Sequence, residues 1–418
     1  VQLKEGIRMW NHVYRFLAVL WIMAVASLGL AQSQTTTPGV KDGQILIGSC
    51  AALDGPARFL GLQTVTGATA YLNRINAQGG VHGRKIQLLA FDDGYEPDKA
   101  ETCFKRLMAE NIFAAGFFVG TPTAARYVPL AQKNNVPVVG LFTGAQLLYE
   151  PLKHEVINVR ASYYDETREA INNLWGVLGI RKIGVIRQDD AFGAAVLDGV
   201  KLAMNKYHAA PVALGTFARN TMDVDSGIAA VRAANPEAVM LVGPYAPVAE
   251  IIKKAHASGW RPLFLTVSFV GTEKFITEAG VDAEGTIITQ VVPPYSRVDL
   301  PTIALYLETL KKYYPGQEPT FVSLEGFVDA MVLVEGLKRA GKNPTREGFI
   351  AAVESIHNQD VGLGTKLVLN YGPARHKGFE GVYTTVVRNG KPVILDRWET
   401  VMVPKSASLI HGPTLARR

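Results

Sequence analysis

The chain has 418 residues, 48% hydrophobic and 19% charged, which is enough apolar material for two packed domains and too much for a disordered chain. Its formal charge is +6, but the basic residues are dispersed. With no Lys/Arg block and no aromatic-rich RNA signature, nucleic acid is not an expected partner.

The apolar run Phe16 to Leu30 follows Arg8, His12 and Arg15 and ends at small residues including Gly29 and Ala31. A basic start, a short apolar core and small residues near the end predict a secretory signal peptide over residues 1–31, since about 15 apolar residues is short for a bilayer span. No cysteine follows to carry a lipid anchor. A polar linker is expected over 32–43. Cys50 and Cys103 are the only cysteines, and the sequence leaves open whether they form a disulfide or stay as two buried thiols.

Ile45 to Cys50 reads as a strand, Ala51 to Gly61 as a loop, and Gln63 to Ala77 as a helix stopped by Gly79 and Gly80. Lys85 to Phe91 and Asp98 to Glu110 repeat the pattern. The stretch Ala114 to Ala145 then gives a strand ending at Val119, a helix opening at Thr121, and a second strand from Val136 to Phe142. Parallel strands buried on both faces read as near-continuous apolar runs, and a right-handed crossover puts both strand ends on one edge of the sheet. The loops Gly120–Thr121 and Thr143–Gly144 therefore lie side by side, each opening a helix. Unpartnered helix amides there suit a carboxylate, a carbonyl or another acceptor-rich group. Thr121, Thr123 and Thr143 add hydroxyls, although capping is what Thr before a helix most often does.

From Val156 the pattern restarts. Strands are expected at Ile183 to Arg187, Ala238 to Val242, Leu263 to Val267 and Thr286 to Val292, followed in order by the loops Gln188 to Gly193, GPYAP, SFVGT and QVVPPY. The prolines of the last interrupt strand bonding and mark a crossing. Helices follow near Leu300 to Tyr314 and Ser323 to Ala340. Strands at Leu367 to Asn370, Tyr383 to Arg388 and Lys391 to Asp396 close the fold, with Asn389–Gly390 as a hairpin turn. Residues 404–418 read as a flexible tail. The fold class is α/β, in two doubly wound, Rossmann-like halves.

Enzyme motifs are missing. The eight histidines are scattered, with no HExxH, no Cys/His cluster at metal-binding spacing and no GxSxG elbow. GLKRAGKN imitates a P-loop, but Asn343 replaces the required Ser or Thr and the segment ends a helix, so Gly341 reads as a helix stop. The first loop lacks GxGxxG. No catalytic residue, metal or cofactor is expected.

The runs GGVHGRKIQLLAFDDGYEPDKA, VGTPTAARYVPLAQKNNVPVVGLFTGA, QDDAFG and TQVVP, in that order, resemble the Leu/Ile/Val-binding (branched-chain amino acid/amide) family of substrate-binding proteins of ABC importers, with the type I periplasmic-binding fold. The resemblance covers about Lys41 to Val403. It implies two lobes joined by a three-crossing hinge near Arg160, Val291 and Leu363, with lobe 1 as 44–160 plus 291–363 and lobe 2 as 161–290 plus 364–403. A small-molecule ligand would lie in the cleft of a periplasmic monomer that reaches the membrane only through its ABC permease. A ligand-sensing receptor on the same fold is the alternative.

Carried over by position, the first-lobe contacts are Ala57, Phe59, Gly120, Thr121, Phe142, Thr143 and Gly144. Those of the second lobe are Tyr163 or Tyr164, Asp190, Phe192, Tyr245, Ser268 and Phe269. All of these lie at carboxyl ends of expected strands, where open α/β sheets bind ligands. One departure matters. Family members that bind α-amino acids place an acid near Val267 to Val270, and this loop is uncharged. Asp189 or Asp190 could supply the charge or could cap the following helix. An unpartnered buried ammonium is costly, so an apolar or aromatic carboxylate or an amide competes with an amino acid as ligand.

Overall fold

Apolar runs punctuated by glycine and asparagine turns build two parallel sheets, seen in a computed structural model that describes residues 37–403. The expected signal peptide and tail lie outside the described residues. The first sheet holds β1 (Val40–Lys41), β2 (Gln44–Ala51), β3 (Lys85–Asp92), β4 (Ala114–Gly116), β5 (Val138–Val139) and β6 (Val156–Ile157). β2 is flanked by β3 and β4, with β5 and β6 beyond β4, all parallel, and β1 pairs antiparallel with the start of β2. The expected linker therefore ends before Val40. Helices α1 (Arg58–Ala77), α2 (Pro97–Ala109) and α3 (Thr121–Lys133) connect the strands.

The second sheet repeats the scheme with β7 (Ile183–Gln188), β8 (Ala213–Phe217), β9 (Ala238–Val242), β10 (Leu263–Thr266) and β11 (Ile287–Gln290). Its parallel part runs β8-β7-β9-β10-β11, matching β3-β2-β4-β5-β6. Helices α4 (Tyr163–Gly176), α5 (Ala191–Asn205), α6 (Asp225–Arg232), α7 (Tyr245–Ala257) and α8 (Thr272–Ala279) surround it. In both lobes the chain reverses direction across the sheet beside the first strand, and such switch points are where open α/β sheets hold ligands.

The chain then returns to the first lobe with α9 (Pro301–Tyr313), α10 (Phe321–Ala340) and α11 (Arg346–Glu354), and with a ribbon of β12 (Gln359–Asp360) and β13 (Val368–Leu369). β14 (Tyr383–Arg388) and β15 (Lys391–Ile394) finish on the second sheet, antiparallel beside β11. Their turn is the expected hairpin, with Asn389 and Gly390 both at positive φ. α10 lies directly on α1. A Cβ at Gly67 would fall 1.8 Å from the Ser323 carbonyl oxygen, and one at Gly326 would fall 2.2 Å from that of Thr64. Only glycine allows these backbones to approach so closely.

Several expected boundaries move for identifiable reasons. α1 begins at Arg58, five residues early, so Phe59 sits on its first turn. The strands before Gly120 and Thr143 are short because Phe117 and Gly140 take positive φ, leaving only an isolated bridge between Val119 and Phe142. β8 was not anticipated, because an edge strand with exposed alternate residues shows no apolar run. The third crossing is also corrected. Leu363, Leu367, Leu369, Tyr371 and Phe379 pack in the first lobe's core. The amides of Gly378 and Phe379 bond to the carbonyls of Asn158 and Val159. The crossing falls instead near Val382, which clusters with Ala161 and Val291. Residues 364–379 thus belong with lobe 1.

The open question about the cysteines is answered by a Cys50–Cys103 disulfide that ties β2 to α2 across 53 residues. No helix among the described residues is long and apolar enough to cross a membrane. A loop of this size constrains the unfolded chain by about 4 kcal/mol in the entropic account. Replacing both cysteines by serine should lower the unfolding free energy by about 2–5 kcal/mol in denaturant titration, and an unchanged midpoint would show that the bridge adds nothing.

Candidate functional site

The carboxyl ends of the two sheets face each other, and their loops meet in an aromatic cleft. Phe269, at the end of β10, lies 5.5 Å from Phe142, 4.4 Å from Phe192 and 5.9 Å from Tyr95 between ring centroids. Tyr163 stands 5.4 Å from Phe192. These side chains are almost wholly buried and join residues of both lobes, including Ala57, into one core. Tyr95 was not singled out by sequence. It sits at positive φ in a turn, against Gly120, where a Cβ would fall 2.2 Å from its ring.

The Gly120–Thr121 and Thr143–Gly144 loops lie side by side, and their threonines do not cap helices, contrary to the commoner role of Thr before a helix. The Thr121 and Thr143 hydroxyls bond to each other at 2.6 Å, and Thr123 donates to the carbonyls of Val119 and Gly120. None of the three caps a helix. The α3 N-cap is Gly120, at φ 101°, and it makes no side-chain bond. The first helix amides remain without intrahelical partners at this edge.

Across the cleft, the Tyr245 hydroxyl donates to the Pro56 carbonyl and accepts from the Phe59 amide, while its ring meets Phe59 edge-on at 5.8 Å. The Gly144 carbonyl accepts from the Tyr163 amide at 2.7 Å. Arg219 and Asn220 of the second lobe reach Glu96 of the first at 2.8 and 2.7 Å. On the far side, the Phe321 amide donates to Glu273 at 3.1 Å. Tyr164 is the residue that falls outside. It lies on the other face of α4, against Gly199 of α5, so Tyr163 alone enters the cleft.

Arg160, at the first crossing, binds both lobes. Its guanidinium pairs with Glu166 of α4 at 2.8 Å, with Glu325 of α10 at 3.1 Å, and with the Ser268 hydroxyl. It also lies 5.5 Å from the Phe142 ring and 5.6 Å from that of Tyr163. Glu166 accepts further from the Ser268 amide at 2.9 Å and the Thr289 hydroxyl at 2.6 Å. All three charged groups are buried. Burial lowers the Arg160 pKa, but Glu325 and Glu166 outweigh it and hold the guanidinium protonated. Burial pushes Glu325 up to about 7 against the pull of Arg160, and raises Asp329 beyond it well above the carboxylate range. The sequence signalled Arg160 only as a crossing. Glu325 carried no signal because Arg160 is 165 residues away. Glu166, only six residues from Arg160, carried none because an i,i+6 spacing is not a recognised pairing pattern and its partner Ser268 is 102 residues away.

Asp190 caps α5, accepting from the amides of Phe192 and Gly193, and also binds Gln188 at 2.6 Å with Arg219 3.6 Å away. Burial raises its pKa against those bonds. Gln188 donates to Asp190 and to the Tyr95 hydroxyl, which leaves its Oε1 buried without a donor. Among the described residues, Glu166, Glu325, Asp190 and Glu96 therefore all meet a cation before any ligand.

Residues 44–391 match the periplasmic binding protein family. Over 341 residues the chain is 23% identical to the Leu/Ile/Val-binding protein homolog 3 of Brucella melitensis, covering 80% of this chain and 90% of that one. Its fold is similar to a possible leucine/isoleucine/valine-binding protein from Rhodopirellula baltica, at TM-score 0.82 and 33% identity over 86% of this chain and 98% of that one. It is also similar to a substrate-binding periplasmic protein from Ralstonia solanacearum, at TM-score 0.78 and 27% identity over 84% and 99% of the two chains.

Glu166→Gln should cost about 3 kcal/mol of stability in denaturant titration, since it removes one of the two buried carboxylates that neutralise the Arg160 guanidinium. A loss below 1 kcal/mol would contradict the central role given to this pair. Glu273 sets a pH dependence. Burial pushes it up to about 7 against the backbone bonds it accepts. Between the ordinary value of 4.5 and about 7 the native state keeps a proton that the unfolded chain has lost, so stability falls as pH rises through this window and levels off above it. Glu273→Gln should flatten part of that fall, and an unchanged pH profile would show that the carboxyl titrates normally.

Proposed function

Because this chain belongs to the periplasmic binding protein family, we propose that it is an exported monomer that captures a small organic solute between its lobes and delivers it to an ABC permease. No catalytic step is needed. The first lobe offers helix amides and the Thr121–Thr143 edge to an acceptor-rich group, and the aromatic residues of both lobes enclose the apolar remainder. The second lobe closes about the crossings at Ala161, Val291 and Val382, driven by higher ligand affinity in the closed form.

The ligand favoured by the chemistry is an apolar or aromatic carboxylate, or an amide, ahead of an α-amino acid. The observation that carries this choice is that Glu166, the acid beside the Ser268–Phe269 loop, is already paired with Arg160. A ligand ammonium would have to compete with a buried guanidinium for the same oxygens. An amide N–H, by contrast, matches the unpartnered Gln188 Oε1.

Thermal denaturation of the processed protein against leucine, 4-methylpentanoate, benzoate, phenylacetate and short aliphatic amides tests the reading. A ligand at a hundred times its Kd adds about 2.7 kcal/mol. Carboxylates or amides should raise the midpoint by several degrees with leucine ineffective. Leucine as the strongest stabiliser would overturn the ligand class, and no stabilisation by any compound would overturn capture of small carboxylates, amides and amino acids together.

A further inference from the structure

Away from the cleft, the first lobe gathers four side chains that the capture reading does not use. His154 lies just before β6, at the amino end of the strand, whereas the cleft lies at the carboxyl ends. Glu347 and Glu354 lie on α11, and His376 lies in the segment that follows β13. The ligating atoms of His154, Glu354 and His376 all fall within 4.8 Å of one another. His376 Nε2 is 2.9 Å from Glu354 Oε1, and His154 Nδ1 is 4.0 Å from the same oxygen. His154 Nε2 stands 3.1 Å from both oxygens of Glu347.

The tautomer of His376 gives the arrangement its meaning. This ring is buried, and its Nδ1 lies 3.0 Å from the Val156 carbonyl, which can only accept, so Nδ1 carries the proton. In the neutral ring, Nε2 then points a lone pair at a carboxylate oxygen. Two acceptors at that distance need a positive centre between them, either a second proton on the ring or a cation. A proton accounts for His376 and Glu354 but gives no reason for the second imidazole to converge on the same oxygen.

We infer that His154, through Nδ1, His376 and Glu354 bind a divalent transition-metal ion of the zinc class, with water completing the coordination and Glu347 holding the opposite nitrogen of His154. Two imidazoles and a carboxylate suit zinc, nickel or copper better than magnesium or calcium, which prefer all-oxygen sets. Bond lengths near 2.0–2.2 Å in a tetrahedron place ligand atoms roughly 3.3–3.6 Å apart. Rotation of the exposed His154 ring closes its 4.0 Å separation from Glu354 toward that spacing. The Val156 carbonyl supplies the outer hydrogen bond that orients a ligating histidine.

A bound ion would join three segments distant in sequence. His376 also accepts the Asn158 amide through its backbone carbonyl at 2.9 Å, and Gly378 and Phe379 continue that pairing toward the third crossing. The ion would therefore brace the base of the first and third crossings from the side opposite the cleft.

The test uses the untagged, chelator-treated protein, titrated calorimetrically with zinc chloride and with magnesium chloride, and with cobalt(II) monitored by visible absorption. One zinc per chain, no magnesium binding, a four-coordinate cobalt spectrum and a zinc-dependent rise in melting temperature are expected. His154→Gln changes an exposed side chain and should leave the metal-free melting temperature unchanged while weakening zinc at least tenfold. Glu354→Gln should weaken zinc similarly. The absence of zinc binding, or zinc affinity unchanged in His154→Gln, would overturn the site and leave His376 and Glu354 as a simple protonated ion pair.

Discussion

The rest of the structure depends on keeping one guanidinium charged in a dry place. Arg160 sits where the chain first leaves the first lobe, and its partners come from α4 and the β10 loop on one side and from α10 on the other. An isolated buried charge would be prohibitively costly, and Glu166 and Glu325 make this one tolerable only in this arrangement. The pair also lies beside the crossings between the lobes. The crossing beside Arg160 packs with the other two through Ala161, Val291 and Val382, which are small or β-branched apolar residues that add no competing polar contacts.

The same charge arrangement shapes the cleft. Glu166 gives up its oxygens to Arg160, Ser268 and Thr289, so the wall that could have received an ammonium is electrically satisfied. Asp190 is committed to capping α5 and Glu96 to Arg219 and Asn220. What remains toward the cleft is an aromatic surface around Phe269, a threonine and amide edge, and an acceptor on Gln188. Under the proposed function, such a lining discriminates through shape and hydrogen bonding more than through net charge.

Much of the fold was legible because each local signal agreed with its neighbour. Apolar runs ending at Gly120, Thr143, Gln188, Gly243 and Ser268 placed the loops at the carboxyl edges, and the structure brings those loops together. Asn389–Gly390 specified its hairpin through the positive φ that both residues adopt. Sequence was blind to contacts made over long separations. Leu363 looked like a crossing because lobe membership of the segment after it depends on pairing with Asn158 and Val159, far upstream. Tyr163 and Tyr164 could not be separated without knowing which face of α4 meets the cleft. The pairing of Arg160 with Glu325 and Ser268 and the gathering of His154, Glu354 and His376 were invisible for the same reason, while Glu166, six residues from Arg160, sits at a spacing that no local pairing rule marks.

A crystal structure of the protein grown with its tightest ligand bears most directly on the claim that an internally neutralised, aromatic cleft receives the solute. The account predicts the ligand between the Thr121–Thr143 edge and the Phe269 ring, with the Arg160–Glu166 pair intact and no ligand ammonium against Glu166. A ligand bound outside the interlobe cleft, or an ammonium seated on Glu166 with Arg160 displaced, would contradict it.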